Sequence, residues 1–290
     1  MPRDLLADRK TLDGMPQLSR ESASSPPQES GSSNSAVFVE QRFKKMKDIH
    51  PFAQLLNYED LDDCDWLEHA AFDPIEAASR EKVVLLYLQV TTLSTELSCI
   101  QGYLTDHRQI EYRLRTCGEL CSGLFTSAYA TTSGPLGDII KARKFPSIDS
   151  SDADRKRVLL AHIIATKTSS RIVTDDAMDY PKDWQTKYQL TPTTGHNEDG
   201  ETVCIHSLCV HPDFQGQGFG QVLLRSYVQR IKDAGVAKRV ALICREKYVK
   251  FYAKSGFIEV GPSKCQYGGG GWIDMVIELE DDMDEEDQGY

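Results

Sequence analysis

Residues Val203–Gly220 read VCIHSLCVHPDFQGQGFG, and this stretch decides the fold. Val203 to Val210 is apolar and β-branched enough to form a strand. Gly216, Gly218 and Gly220 then lead into Phe219–Ala234. There Phe219, Val222, Leu223, Tyr227, Val228, Ile231 and Ala234 recur at helical spacing and are expected on one face. A glycine-rich turn between strand and helix binds anions for a physical reason. The first N–H groups of a helix have no internal partner, and the helix dipole adds partial positive charge. Glycines let a pyrophosphate approach that backbone. Such a turn needs no basic residue, so it suits a chain of net charge −11. A dinucleotide fingerprint needs glycine at its sixth place, where Gln221 stands, and no Gly-Lys-Ser/Thr of a P-loop exists.

Downstream, Arg239–Cys244 is read as a strand and Lys247–Ser255 as a short helix. Phe257–Val260 and Trp272–Leu279 are read as a hairpin joined through Gly268–Gly271. The C-terminal third therefore runs β-α-β-α-β-β. Upstream, Phe52–Leu56 is a strand, and Asn57 caps a helix whose first turn holds Glu59 and Asp60. Leu124–Tyr129 and Val158–Thr166 are strands, with a Ser/Gly/Pro/Asp-rich loop expected over 130–155. The fold class is mixed α/β, a central sheet with flanking helices.

The 290 residues suit one large domain or two small ones. Pro16–Ser35 holds eight serines and three prolines, so 1–45 is expected to be a disordered tail. The folded domain is then 46–279. Glu278–Tyr290 holds eight acidic residues and no basic one, leaving −3 for the rest. We read 280–290 as a solvated acidic tail. An acidic chain argues against nucleic-acid binding, which needs a basic stripe. No apolar run approaches the ~20 residues of a membrane helix, and the start at Met1–Asp4 has no apolar signal region. The eight cysteines show no zinc-type spacing. Cys117 and Cys121 read as two small residues on one helix face, and a reducing, cytoplasmic location is expected.

Gln215-x-x-Gly218-x-Gly220, after a strand containing Leu208, Val210 and then Pro212, resembles the acetyl-CoA signature of the GNAT N-acetyltransferases. Val249–Phe257, VKFYAKSGF, resembles the same family's next motif, with Gly256 at a helix end that favours φ > 0. Within the family the chain is most similar to the arylalkylamine group and its polyamine-acetylating relatives. The strand Ile205–His211 carries that likeness, as do WLEHAAF at 66–72 and TCGELCSGLF at 116–125. The likeness implies the GNAT acyltransferase fold, acetyl-CoA as co-substrate and no metal. It implies cofactor contacts at Leu208, Cys209, Val210, Gln215, Gly216, Gln217, Gly218, Phe219, Gly220, Gln221 and Tyr252.

The implied reaction is direct acetyl transfer to a primary amine. An amine of pKa ~10.4 is about one part in 10³ neutral at pH 7, and deprotonating it costs roughly 4 kcal/mol. A base is therefore needed. His206 falls on one of the group's two catalytic histidine positions; the other, two residues earlier, is Cys204 here. His206 is assigned the base, alone or with a carboxylate, for which Glu76 is the candidate. Tyr252 is assigned the proton donor to the departing thiolate. His211 is read as turn chemistry before Pro212.

The expected acceptor is a small cationic amine, an arylalkylamine or a polyamine, with Phe72, Pro74 and Glu76 beside it. Asn57–Lys82 holds nine acidic residues against two basic ones, which favours a cation unless it is a solvated face. The serotonin-type loop Cys-Pro-Leu-Asn is absent there. Residues 83–109 interrupt a helix that would otherwise run from EAASREK (76–82) into IEYRLRTCGEL (110–120). This segment reads either as a translated, unspliced intron or as a genuine insertion. A non-catalytic acyl-CoA-binding module and a protein lysine or N-terminal acetyltransferase stay open as alternatives, as does oligomeric state.

Overall fold

A computed structural model describes residues 49–72, 107–186 and 193–279. The expectations for 1–45, Pro74, Glu76, most of the 83–109 segment and the 280–290 tail lie outside these residues.

A single mixed sheet organises the described chain. Its strands are β1 (Phe52–Leu55), β2 (Ser122–Ala128), β3 (Ser147–Asp149), β4 (Asp152–Thr168), β5 (Thr202–Val210), β6 (Arg239–Cys244), β7 (Ile258–Pro262) and β8 (Ile273–Glu278). The order across the sheet is β1-β2-β4-β5-β6-β8-β7, with β3 pairing on β4. Only β5 and β6 run parallel among these pairs. The helices are α1 (Leu61–Ala71), α2 over 107–117, α3 (Pro135–Ala142), α4 (Asp175–Met178), α5 (Phe219–Ala234) and α6 (Val249–Ala253). Among the described residues no helix is long and apolar enough to cross a membrane.

The β-α-β-α-β-β run is present, and α5 and β6 have the expected bounds. Asn57 does cap its turn: its side chain accepts from Glu59 N–H, and Asp60 returns a bond to Asn57 N–H. Gly235 caps α5 with φ of 62°, and Gly256, two residues past the α6 cap at Lys254, has φ of 93°, the left-handed region that glycine enters without strain.

Several expectations are corrected. The 130–155 segment is not a plain loop: it contains α3, β3 and the start of β4. Pro135 opens α3, and Leu136, Ile139 and Ile140 bury at helical spacing. Eight residues of helix are too short to stand out from the polar residues around them. On α5, Val222 is 55% exposed and Ala234 is exposed, while Leu224 is buried. The face that meets the sheet is Phe219, Leu223, Leu224, Tyr227 and Ile231. The expected helix 247–255 is a 3-10 turn, Glu246–Tyr248, followed by α6. Cys121 lies beyond α2, after the turn Gly118–Leu120, yet it does meet Cys117: both thiols donate toward the Ala165 carbonyl.

Among the described residues of the acidic stretch, Glu59 and Asp62 are exposed, while three others are buried and paired. Asp60, Asp63 and Asp65 are buried. Asp60 pairs with Arg157, Asp63 with Arg143 at 2.8 Å, and Asp65 faces His69 and His107. The sequence pattern counts charges, but the partners come from elements far along the chain.

Apolar packing covers both sheet faces. One cluster joins α5 to the sheet through Leu223, Tyr227, Val203 and Ile205. Another sets α1 and α2 against Phe125, Leu159 and Cys209. A third encloses Cys204 with Met178 and Val276.

Candidate active site

A bulge in β5 creates the site. Ile164 pairs with Ser207 and Ala165 with Ile205, so His206 is the extra residue. A bulge reverses the side-chain alternation beyond it. Val203 and Ile205 before it, and Leu208 and Val210 after it, all join the α5 cluster. Cys204 and Cys209 fall in the clusters of the other face.

The parallel pairing of β5 with β6 stops at Ile205↔Leu242, while β5 continues beside β4 to Val210↔Ala161. The two parallel strands therefore part just where the bulge lies. His211 N–H donates to Leu160 O on the β4 side at 2.9 Å. In extended backbone the polar groups of Val210 and Leu208 then face the opposite, parted edge. Gln215 Nε2 reaches Val210 O from that side at 3.0 Å.

The gap opens into a cavity of about 530 Å³. One end is the turn from Gln215 into α5. Gly216 and Gly218 have φ of 69° and 91°, and Gly218 precedes the first residue of α5. A Cβ on Gly220 would sit 3.3 Å from the Phe251 ring and 3.4 Å from Val210 Cγ2. Gln221 Nε2 donates to Phe251 O at 2.7 Å, tying α5 to α6.

Of the anticipated cofactor residues, all but Gln217 line this cavity. Gln217 turns its amide back to Asp213 O at 3.1 Å. Cys209 lines it, with its thiol 3.2 Å from His162 Nε2. Tyr252 lines it too, packed edge-on against Phe251 and Phe257. Burial pushes the Tyr252 phenol above its ordinary range, helped by Cys244 and Tyr248.

His206 lines the same cavity. Its Nε2 is 2.7 Å from Thr166 Oγ1 and its Nδ1 is 3.2 Å from Met178 Sδ. Burial holds the imidazole well below its ordinary range, reinforced by Arg113 and His196. With Nε2–H donating to Thr166, the Nδ1 lone pair meets only a thioether, which is not a donor. Cys204 is fully buried among Met178, Ala241 and Val276, with its thiol pushed up to about 12 by burial. It does not line the cavity. His211 accepts from Asp213 N–H, as turn chemistry requires.

Of the three anticipated acceptor residues, Phe72 lines the cavity and the other two lie outside the described residues. The carboxylate that does line it is Glu68, from α1. Glu68 Oε1 is 3.1 Å from Nε2 of the fully buried His162, which also lies 3.3 Å from Ser207 Oγ. Burial pushes the Glu68 carboxyl up, but His162, Ser207 and Arg113 outweigh it and hold it below the usual range. Gln109 and Arg113 on α2, Met178 on α4, and Arg245 with Tyr267 and Trp272 also line the cavity. Tyr267 donates to Gln109 Oε1 at 2.9 Å, and Arg245 lies 3.7 Å over the Trp272 ring.

Sequence reading missed Glu68, His162 and Arg113. The WLEHAAF match contains Glu68 and gave the available signal. His162 and Arg113 sit in apolar or mixed runs that give none.

Comparison with known proteins accords with this geometry. Residues 187–279 match the family described as acetyltransferase (GNAT) domain. Serotonin N-acetyltransferase of Mesocricetus auratus is 35% identical over 86 residues, 30% of this chain and 42% of that protein. The uncharacterized N-acetyltransferase ycf52 of Pyropia yezoensis is 32% identical over 104 residues, 36% of this chain and 57% of that one. The chain thus aligns with about half the length of these relatives. Among solved structures, it is similar to the PaiA N-acetyltransferase of Thermoplasma acidophilum in complex with coenzyme A. That match has 11% identity, a TM-score of 0.41 and coverage of 79% of this chain and 99% of that one. It is also similar to the GNAT-like decarboxylase GphF in complex with isobutyryl-CoA, with 12% identity, a TM-score of 0.45, and coverage of 79% and 100%. Residues 187–279 thus match a GNAT acetyltransferase domain, and the described residues form a mixed sheet with flanking helices, as the sequence likeness implied.

Proposed function

We propose that the protein transfers the acetyl group of acetyl-CoA to the primary amine of a small molecule. The observation behind this reading is one cavity that joins a glycine turn at a helix start, a parted strand edge, His206 and Tyr252. The turn from Gln215 to Gln221 would hold the pyrophosphate through backbone N–H groups. The backbone of Leu208 and Val210 would bind the pantetheine arm, and one N–H would stabilise the developing oxyanion.

His206 takes the proton of the ammonium at Nδ1, with Glu68 the carboxylate nearest in role. The freed nitrogen lone pair forms the C–N bond at the thioester carbonyl. As the C–S bond breaks, its electron pair goes to sulfur, Tyr252 donates a proton there, and the second proton of the attacking nitrogen returns to the Tyr252 oxygen, leaving a neutral amide and free thiol. No cysteine nucleophile is required. The buried pairing of Asp60, Asp63 and Asp65 takes these three carboxylates out of the charge argument for a polyamine. Aromatic walls at Phe72, Tyr267 and Trp272 favour an arylalkylamine.

The test is mass spectrometry of products from acetyl-CoA with phenylethylamine, tryptamine, putrescine, spermidine and a lysine peptide. Acetylated small amine, lost in His206→Ala, supports the reading. Acetylation of the peptide alone points to a protein substrate. Acetyl-CoA binding without any product points to a non-catalytic module, the reading that burial of Cys204 in place of a second histidine favours.

A further inference from the structure

The mechanism above leaves one buried charge on the cavity wall unused. Arg113, on α2, is 5% exposed and lines the cavity. Its Nη2 donates to Met178 O at 2.7 Å. Its Nε is enclosed without an acceptor. Among the described residues no carboxylate lies within ion-pair distance of it. A guanidinium cannot shed its charge, and its planar fork is suited to a bidentate carboxylate. A buried cation with no ion-paired carboxylate among the described residues is costly, so it marks a place where an anion belongs.

The cavity already holds one carboxylate, but Glu68 is engaged by His162 rather than by Arg113. Opposite charges thus stand apart in one small chamber. Met178 spans the gap between Arg113 and the proposed base. Its carbonyl accepts from Arg113, and its sulfur lies 3.2 Å from His206 Nδ1. A molecule with its amine at His206 therefore has Arg113 about one residue's breadth away.

We propose that the acceptor amine also bears a carboxylate, which Arg113 binds. This deepens the acetyl-transfer reading and rests on it. The substrate class becomes a zwitterionic amino acid with an apolar or aromatic side chain. The ammonium faces His206 and Glu68, and the carboxylate faces the guanidinium.

Matched pairs that differ only in the carboxylate test this directly: phenylalanine against phenylethylamine, tryptophan against tryptamine, ornithine against putrescine. In the wild type, kcat/KM is expected to be roughly tenfold or more higher for the carboxylated aromatic members, the scale of a hydrogen bond to a charged group. Arg113→Gln is expected to erase that preference through KM, and Arg113→Lys to restore part of it. Preference of the wild type for the decarboxylated members overturns the proposal. So does equal loss on both members in a folded Arg113→Gln. Saturation-transfer NMR of each pair on the wild-type protein with CoA reads the preference without turnover. No turnover with any amine, together with selective binding of phenylalanine, would sink acetyl transfer and keep the Arg113 site. Absence of that selectivity would sink the site itself.

Discussion

Glu68 Oε1 and His162 Nε2 meet at 3.1 Å, joining α1 to the middle of β4 beneath the cavity floor. A carboxylate only accepts, so the imidazole is the donor. The bond fixes the acidic side chain that, among the described residues, lines the cavity and could meet an ammonium group. Glu68→Gln is expected to retain the fold and lower kcat/KM for amine by about 10²-fold, the lower end of general acid–base effects. Circular dichroism and steady-state kinetics check this. Unchanged kinetics would remove Glu68 from the reaction.

His206 gives a pH signature. Burial holds its folded pKa well below 6.5, so the base stays neutral and competent throughout the physiological range. The acid limb of kcat/KM is therefore expected well below pH 6.5, with a flat profile from there to neutrality. A limb centred at 6.5 or above contradicts the assignment. In His206→Ala that limb should vanish along with most of the activity.

Burial raises the Tyr252 pKa, so the phenol is protonated at neutral pH and available to donate to sulfur. Tyr252→Phe should lower kcat about 10- to 100-fold while leaving acetyl-CoA affinity within a few-fold. Stopped-flow thiol release and equilibrium binding separate the two effects.

Gly220 and Gly218 should fail in different ways. A valine at 220 drives its side chain between the Phe251 ring and Val210, into space the cofactor arm needs. Gly220→Val is expected to raise the KM for acetyl-CoA at least tenfold, roughly 1.4 kcal/mol of lost binding. At Gly218 a Cβ meets nothing within 4 Å, but φ is +91°. Gly218→Ala should cost about 1–2 kcal/mol of stability from backbone strain. Thermal melts and acetyl-CoA titrations distinguish the two.

Asp63 predicts a stability trend. Burial raises its carboxyl to about 6, against the opposing pull of Arg143. A raised folded pKa means the native state binds the proton more tightly than the unfolded chain. Its contribution is complete below the unfolded value of 3.8 and fades as pH rises to about 6. Asp63→Asn should flatten the melting temperature against pH between those limits. An unchanged slope would show that Asp63 titrates normally.

Much of this was legible in sequence because it is local. β5, α5 and β6 are long periodic runs, and the glycine turn between β5 and α5 is punctuated by residues that few other structures tolerate. Asn57 announced its cap by its neighbours alone. What stayed hidden depends on distant partners. Asp60, just ahead of α1, is paired with Arg157 from β4, and Asp63 of α1 with Arg143 from just beyond α3. His162 looks like an interruption of an apolar strand until Glu68 is placed beneath it. The bulge at His206 changes which residues of β5 share a face, so a period of two carried through the whole strand puts its second half on the wrong side.

The central claim is acetyl transfer at a shared His206–Tyr252 cavity. Its most direct test is thiol release from acetyl-CoA by the purified full chain with phenylethylamine and phenylalanine, beside His206→Ala and Tyr252→Phe. The account predicts thiol and acetylated amine in equal amounts from the wild type, and strong loss in both variants. Undiminished turnover in the two variants, or no amine-dependent thiol release from a wild-type protein that binds acetyl-CoA, would contradict it.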